Sequence, residues 1–255
     1  MIDKADVFRL ACCALIGARF ACPAAPAQMV ASRDITLGWR VPSEHLSIPQ
    51  SCANPQSSYA DGKSVGPGGG TKTKDLEVTI VETSPAKLEI GGDFDSTVRL
   101  KNVGAQPVLV PSVTDGERVL RTSADRSEEK YEVGDISFRL MTGKRRGVAV
   151  YLDSAGALFA DPDDKSSYIS LAPGNWLDIK LHARVECGLE NCVGNLQPDD
   201  KAALTAWWYQ RVLTHRVNGC DETHGSHTVR EVDSAPFTVV VKNPQPKHTA
   251  FAFQF

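Results

Sequence analysis

Lys201-Ala202-Ala203-Leu204-Thr205-Ala206-Trp207-Trp208-Tyr209-Gln210-Arg211-Val212-Leu213-Thr214-His215-Arg216 is the stretch whose reading decides the fold. As a helix it has Pro198, Asp199 and Asp200 at its start. His215 and Arg216 sit near its end, and Asn218-Gly219 follows as a cap. Leu204, Trp208 and Val212 then share a helical face. As a strand, Leu204, Ala206, Trp208 and Val212 also fall together, because a spacing of four suits both periods. Both readings stand on spacing alone. The β-branched and aromatic content, and sheet-like sequence on either side, favour the strand.

That surrounding sequence is a series of period-two stretches separated by Gly, Pro and Asn turns. Leu76–Val81, Thr97–Lys101, Val108–Val110, Ile136–Met141, Val148–Leu152, Leu177–Val185 and Phe237–Val241 all read as strands. In Leu76-Glu77-Val78-Thr79-Ile80 the apolar residues share one face. Asn102-Val103-Gly104 and Leu171-Ala172-Pro173-Gly174 are turn signals. Thr142-Gly143-Lys144-Arg145-Arg146-Gly147 reads as a hairpin tip carrying three basic residues.

Residues 1–27 have the plan of a secretory leader: Lys4 and Arg9, the apolar run Leu10–Ala18, then Ala25-Pro26-Ala27 before Gln28. Asp3, Asp6 and Arg19 depart from that plan. The apolar run is too short to span a bilayer, so no membrane span is expected in the mature chain. The chain carries 28 basic and 31 acidic side chains; removing the leader's three and two leaves a formal charge near −4. Such a balance offers no general attraction for nucleic acid. Four cysteines remain after the leader: Cys52, Cys187, Cys192 and Cys220. An even number fits two disulfides in an oxidising compartment, with three possible connectivities. Cys187–Cys192 as a local clip and Cys52–Cys220 as a tether for the N-terminal segment are favoured over a cysteine zinc site, which lacks a second ligand pair.

Residues 28–74 read as a polar, flexible lead-in ending in the linker Gly66–Lys74, whose spacing fails that of a phosphate loop because Thr71 separates Gly70 from Lys72. The folded domain runs over 75–243, and 244–255 form a tail.

Within 75–243, Val98–Gly104 with Pro107–Val110 resembles an early strand pair of bacterial immunoglobulin-like modules. Leu171–Gly174 resembles their turn before a middle strand, and Ala206–Tyr209 and Asp233–Val241 resemble their last two strands. The resemblance implies an all-β, immunoglobulin-like antiparallel β-sandwich with a flexible N-terminal lead-in. The early-strand cysteine of antibody domains is missing. The motifs mark a style of fold, and no functional residues transfer from them.

Chemistry can be sought in five places. If Leu204, Ala206, Trp208 and Val212 face a core, then Thr205, Trp207, Tyr209 and Arg211 face outward, and Trp207, Tyr209 and Arg211 form a candidate ligand-binding row for a sugar ring or a protein partner. Cys220-Asp221-Glu222-Thr223-His224-Gly225-Ser226-His227 reads as a polar hairpin loop. Its His224, His227, Asp221 and Glu222 are candidate ligands for Zn²⁺ or Cu²⁺. Asp161-Pro162-Asp163-Asp164 with Asp153 offers oxygens to Ca²⁺ but is also good turn chemistry. Lys144-Arg145-Arg146 could dock an acidic group. Phe251-Ala252-Phe253-Gln254-Phe255 looks like a terminal barrel strand in a chain lacking the other strands of a barrel. Serine-elbow, His-Glu-x-x-His and dinucleotide-loop motifs are missing.

The expectation is an exported protein, periplasmic or secreted, that acts as a non-catalytic binding or interaction module for a protein or glycan, with no cofactor. A metal-handling protein using the His224/His227 segment is the alternative, and a hydrolase with dispersed acids is a third.

Overall fold

The computed structural model describes residues 26–36, 52, 56–59, 73–115, 119, 128–142, 147–151, 157–185 and 200–242. They form fourteen strands: β1 (Met29–Asp34), β2 (Gln56–Tyr59), β3 (Leu76–Ser84), β4 (Lys87–Glu89), β5 (Asp93–Asn102), β6 (Val108–Pro111), β7 (Glu128–Thr142), β8 (Gly147–Tyr151), β9 (Ala157–Ala160), β10 (Tyr168–Leu171), β11 (Trp176–Val185), β12 (Asp200–Asn218), β13 (Asp221–Asp233) and β14 (Phe237–Lys242). A single 3₁₀ turn, Lys165–Ser167, is the only helical element among the described residues.

The fold is an all-β sandwich. Strands are hydrogen-bonded in the order β2-β13-β12-β7-β8-β11-β5-β3, and β8 joins the two halves by pairing with both β7 and β11. Alternation explains the packing. Leu76, Val78 and Ile80 of β3, Val98 and Leu100 of β5, and Leu177, Ile179 and Leu181 of β11 all point inward. They meet Ile136, Phe138 and Leu140 of β7 and Leu204, Ala206 and Trp208 of β12 in one buried cluster. Full burial of each large aliphatic side chain contributes about 1.5–3 kcal/mol. β6 and β10 form a separate two-stranded sheet.

The sheet is mixed rather than purely antiparallel. β1 runs parallel to β11, β2 parallel to β13, and β4 parallel to β14. The first two come from the stretch that composition assigns to a flexible lead-in. The backbone hydrogen bonds they add to exposed edges leave no apolar signature in sequence. Gln28, the residue after the expected leader, is already tied down: Trp176 N–H donates to its carbonyl at 3.2 Å. At that corner the Arg99 guanidinium grips both Asp178 oxygens at 2.8 and 2.9 Å, and lies 4.7 Å from the Trp176 ring centroid.

The deciding stretch is a strand. β12 pairs with β7 residue by residue from Ala202↔Thr142 to Arg216↔Glu128. Ala202, Leu204, Ala206, Trp208 and Gln210 are buried; Thr205, Trp207, Tyr209 and Arg211 between them are half-buried. Val212, expected in the core, is also only half-buried, because the apolar residues that β12 gives to the main core end at Trp208. Buried Gln210 donates to Glu132 and to the Leu109 carbonyl, and the Tyr168 hydroxyl donates to Glu132 at 2.6 Å. Burial, with the Glu132 hydrogen bond and charge next, pushes the Tyr168 phenol well above its usual range.

Cys52 and Cys220 form a disulfide, as expected. It holds the N-terminal segment against the turn Gly219-Cys220 that joins β12 to β13. Gly219 there has φ +63°, a left-handed conformation that suits glycine. Cys187 and Cys192, the tip Lys144–Arg146, Asp153 and the tail Phe251–Phe255 lie outside the described residues, as does nearly all of the leader.

Candidate metal centre

On the outer face of β12, residues of one parity run Thr205, Trp207, Tyr209, Arg211, Leu213 and His215. The candidate binding row therefore continues into a histidine. Beside Leu213 lies a small second core, in which Val119, Val133, Ala157 and Phe159 are buried and Val113, Tyr131 and Leu213 pack against them. His215, two residues further on, is 6% exposed.

Register then brings partners to His215. It sits opposite Glu129 of β7 on one side and His224 of β13 on the other. Glu222, two residues before His224, shares its face. The His215 Nε2 lies 2.8 Å, and the His224 Nε2 3.2 Å, from the same Glu222 Oε1. The two imidazoles stack with centroids 4.6 Å apart and planes 5° from parallel. Ligand atoms of His215, Glu222 and His224 all lie within 4.8 Å of one another, the only such trio of metal-binding side chains among the described residues. Tetrahedral Zn²⁺ with bonds of about 2.0–2.1 Å sets its ligand atoms about 3.3 Å apart. The two nitrogen–oxygen gaps are within about half an ångström of that; because an imidazole donates in its ring plane, the two parallel rings must turn out of their stack for both nitrogens to reach one ion.

Of the four candidate metal ligands, the structure brings Glu222 and His224 together and leaves Asp221 and His227 out. The segment is not a loop. β13 starts at Asp221, and residues an odd number apart on a strand point to opposite faces. His227 pairs with Val212 and is exposed, and Asp221 is exposed beside the turn. His215, near this segment in sequence but outside its four candidates, is the third side chain of the trio.

The aromatic row is largely occupied by this chain's own charges. Arg139 lies 5.8 Å from the Trp207 ring centroid, and Arg211 is ion-paired with Asp135. Burial raises the Asp135 carboxyl above its usual range despite the opposing Arg211 charge. Tyr209 is pushed up to about 12 by burial and by the Glu231 and Asp233 charges, against Arg211. The acidic turn behaves as turn chemistry: Asp161 Oδ1 accepts from Asp163 N–H at 2.8 Å, and Asp164 Oδ1 caps the 3₁₀ turn through Ser166 N–H at 2.9 Å. Across the molecule, a groove of about 300 Å³ is lined by Asp34, Glu82, Asp95 and Lys180. Its acids are already bonded, Asp34 to Thr36, Glu82 to Thr97 and Asp95 to His182.

No protein-family model matches the chain, and no curated protein does. Solved structures distantly similar to the chain include three proteins. One is the Pseudomonas fluorescens alkylpurine DNA glycosylase AlkC bound to DNA containing an abasic site analog, at 11% identity over 66% of this chain and 30% of that one, TM-score 0.24. The second is Spo0M, a sporulation control protein from Bacillus subtilis, at 11% identity over 67% and 50%, TM-score 0.23. The third is AvmM, which catalyzes macrocyclization in alchivemycin A biosynthesis, at 8% identity over 71% and 98%, TM-score 0.28. The chain spans half or less of the first two proteins it matches. Similarity this low carries no argument about function.

Proposed function

We propose that the protein is an exported, non-catalytic β-sandwich that binds a divalent transition-metal ion, Zn²⁺ or Cu²⁺, through His215, Glu222 and His224. The observation that carries the reading is the convergence of two imidazole Nε2 atoms on one carboxylate oxygen at a half-buried end of the sheet. Two nitrogens and an oxygen suit these ions, and a site supplied by three side chains keeps a position open for a further ligand. Export is supported by the leader-like first 27 residues and by the Cys52–Cys220 disulfide, a bond that persists in oxidising compartments.

Calorimetric titration of the purified chain with Zn²⁺ and Cu²⁺ tests this. One equivalent should bind, His215→Ala or His224→Ala should remove most of the affinity, and His227→Ala should not change it. Absence of saturable binding, or its loss in His227→Ala, would overturn the assignment.

A second reading keeps the outer row as a docking face for a glycan or a protein. It is favoured by the half-buried state of Trp207 and Tyr209, which leaves part of each side chain open to contact. Its test is quenching of tryptophan fluorescence by a polysaccharide panel, lost in Trp207→Ala.

A further inference from the structure

We infer that Glu129 is the positioning residue of the metal site, an outer carboxylate that holds His215 in the tautomer presenting Nε2 to the ion. This rests on the metal-binding reading above. Glu129 stands directly across the β7–β12 pairing from His215, and its Oε2 lies 3.7 Å from the His215 Nδ1. The His215 ring thus has a carboxylate at each nitrogen, Glu222 at Nε2 and Glu129 at Nδ1. Glu129 is 2% exposed, and its Oε1 is buried without a hydrogen-bond partner. A buried carboxylate left short of partners is costly, so its place here calls for a compensating contact. A histidine that ligates a metal through one nitrogen nearly always donates its other N–H to such a group, which fixes the ring and raises the ligand's basicity.

The distances give the arrangement a direction. At 3.7 Å, Glu129 is beyond hydrogen-bond range of Nδ1, while Glu222 holds the other side of the ring at 2.8 Å. An ion inserted between Glu222 and Nε2 widens that gap to about 3.3 Å. A shift of the His215 ring away from Glu222 by a similar amount would bring Nδ1 within reach of the Glu129 Oε2. Ion binding is thus expected to bring Glu129 and the His215 Nδ1 into hydrogen-bond contact.

Zn²⁺ titration of the wild-type chain, Glu129→Gln and Glu129→Ala, combined with long-range ¹H–¹⁵N correlation of the histidine rings, tests the inference. Wild-type protein should bind one Zn²⁺ with His215 protonated at Nδ1. Glu129→Ala should still bind one Zn²⁺, with affinity lower by about 10–100-fold. The His215 Nδ1–H should then lose its slow solvent exchange. Glu129→Gln, whose amide oxygen can accept the same proton, should keep the tautomer and recover part of the affinity; it also serves if the alanine variant fails to fold. Unchanged affinity together with an unchanged His215 signal in both variants would overturn the role of Glu129 and leave the site standing. Failure of the wild-type chain to bind Zn²⁺ would overturn the site and, with it, the role of Glu129.

Discussion

Gly134→Ala adds one methyl group where the sandwich has no room for it. Gly134 lies on β7 opposite Gln210, next to the inward-pointing Trp208. A Cβ built there would stand 2.5 Å from the Trp208 Cζ2 and 3.1 Å from Cζ3. Carbon atoms in good contact are about 3.5–4.0 Å apart, so the overlap is about 1 Å or more. The indole cannot back away, because it is 1% exposed and packed inside the main core. Overpacking of this kind costs about 1–3 kcal/mol, and the severity of the overlap puts the cost near the top of that range. Replacing glycine by alanine in a strand returns about 0.5–1 kcal/mol. The net expectation is a loss of about 2 kcal/mol, or about 4–8 °C in Tm for a chain of this size. Urea unfolding and thermal melts of Gly134→Ala, Trp208→Phe and the double variant measure it. The phenylalanine ring lacks the distal atoms that clash, so the glycine substitution should cost at least 1 kcal/mol less in that background. An equal cost in both backgrounds, or a stabilised Gly134→Ala, would refute the argument.

Other outcomes follow from separate contacts. A double-mutant cycle on Arg99 and Asp178 should give a coupling of about 1 kcal/mol, modest because Arg99 keeps a third of its side chain in solvent; salt should weaken it. Tyr209, neutral to about pH 12 in the fold, ionises near 10 when unfolded. Its contribution to stability is therefore intact below pH 10 and is lost as pH rises toward 12. The urea midpoint should fall over that range, and less steeply in Tyr209→Phe. Cys52→Ser opens a loop whose ends are 168 residues apart and should cost about 2–5 kcal/mol, read by denaturant unfolding. An unchanged midpoint would show that β2 and its neighbours hold without the bond.

Much of the sandwich was legible because burial imposes a period of two. Leu76, Val78 and Ile80, or Leu177, Ile179 and Leu181, announce an inward face wherever an apolar partner waits. The same rule resolves Lys201–Arg216: a spacing of four is ambiguous, but Ala202, Leu204, Ala206 and Trp208 are buried at every second position, which a helix cannot do. β1, β2 and β13 were not legible in this way. They are held by backbone pairing at polar surfaces, so Cys220–His227 lacks the alternation that marks a strand. That error decided which histidines could meet. In a loop, His224 and His227 can converge; on a strand, three residues apart, they cannot. Glu129 was out of reach of any local pattern, because only the pairing of β7 with β12 places it beside a histidine 86 positions further along the chain.

β12 belongs to two neighbourhoods at once, with Trp208 in the main core and His215 at the far end of the same unbroken strand. Its pairing with β7 has no bulge between them. A slip of one residue against β7 would turn Trp208 out to solvent and part His215 from Glu129, while the pairing with β13 shifts register between Gln210 and Arg211 and sets Glu222 and His224 beyond that shift. Hydrophobic packing thereby acts as proofreading for the proposed ion site, and an ion bound there would in turn penalise misaligned pairings of the strand.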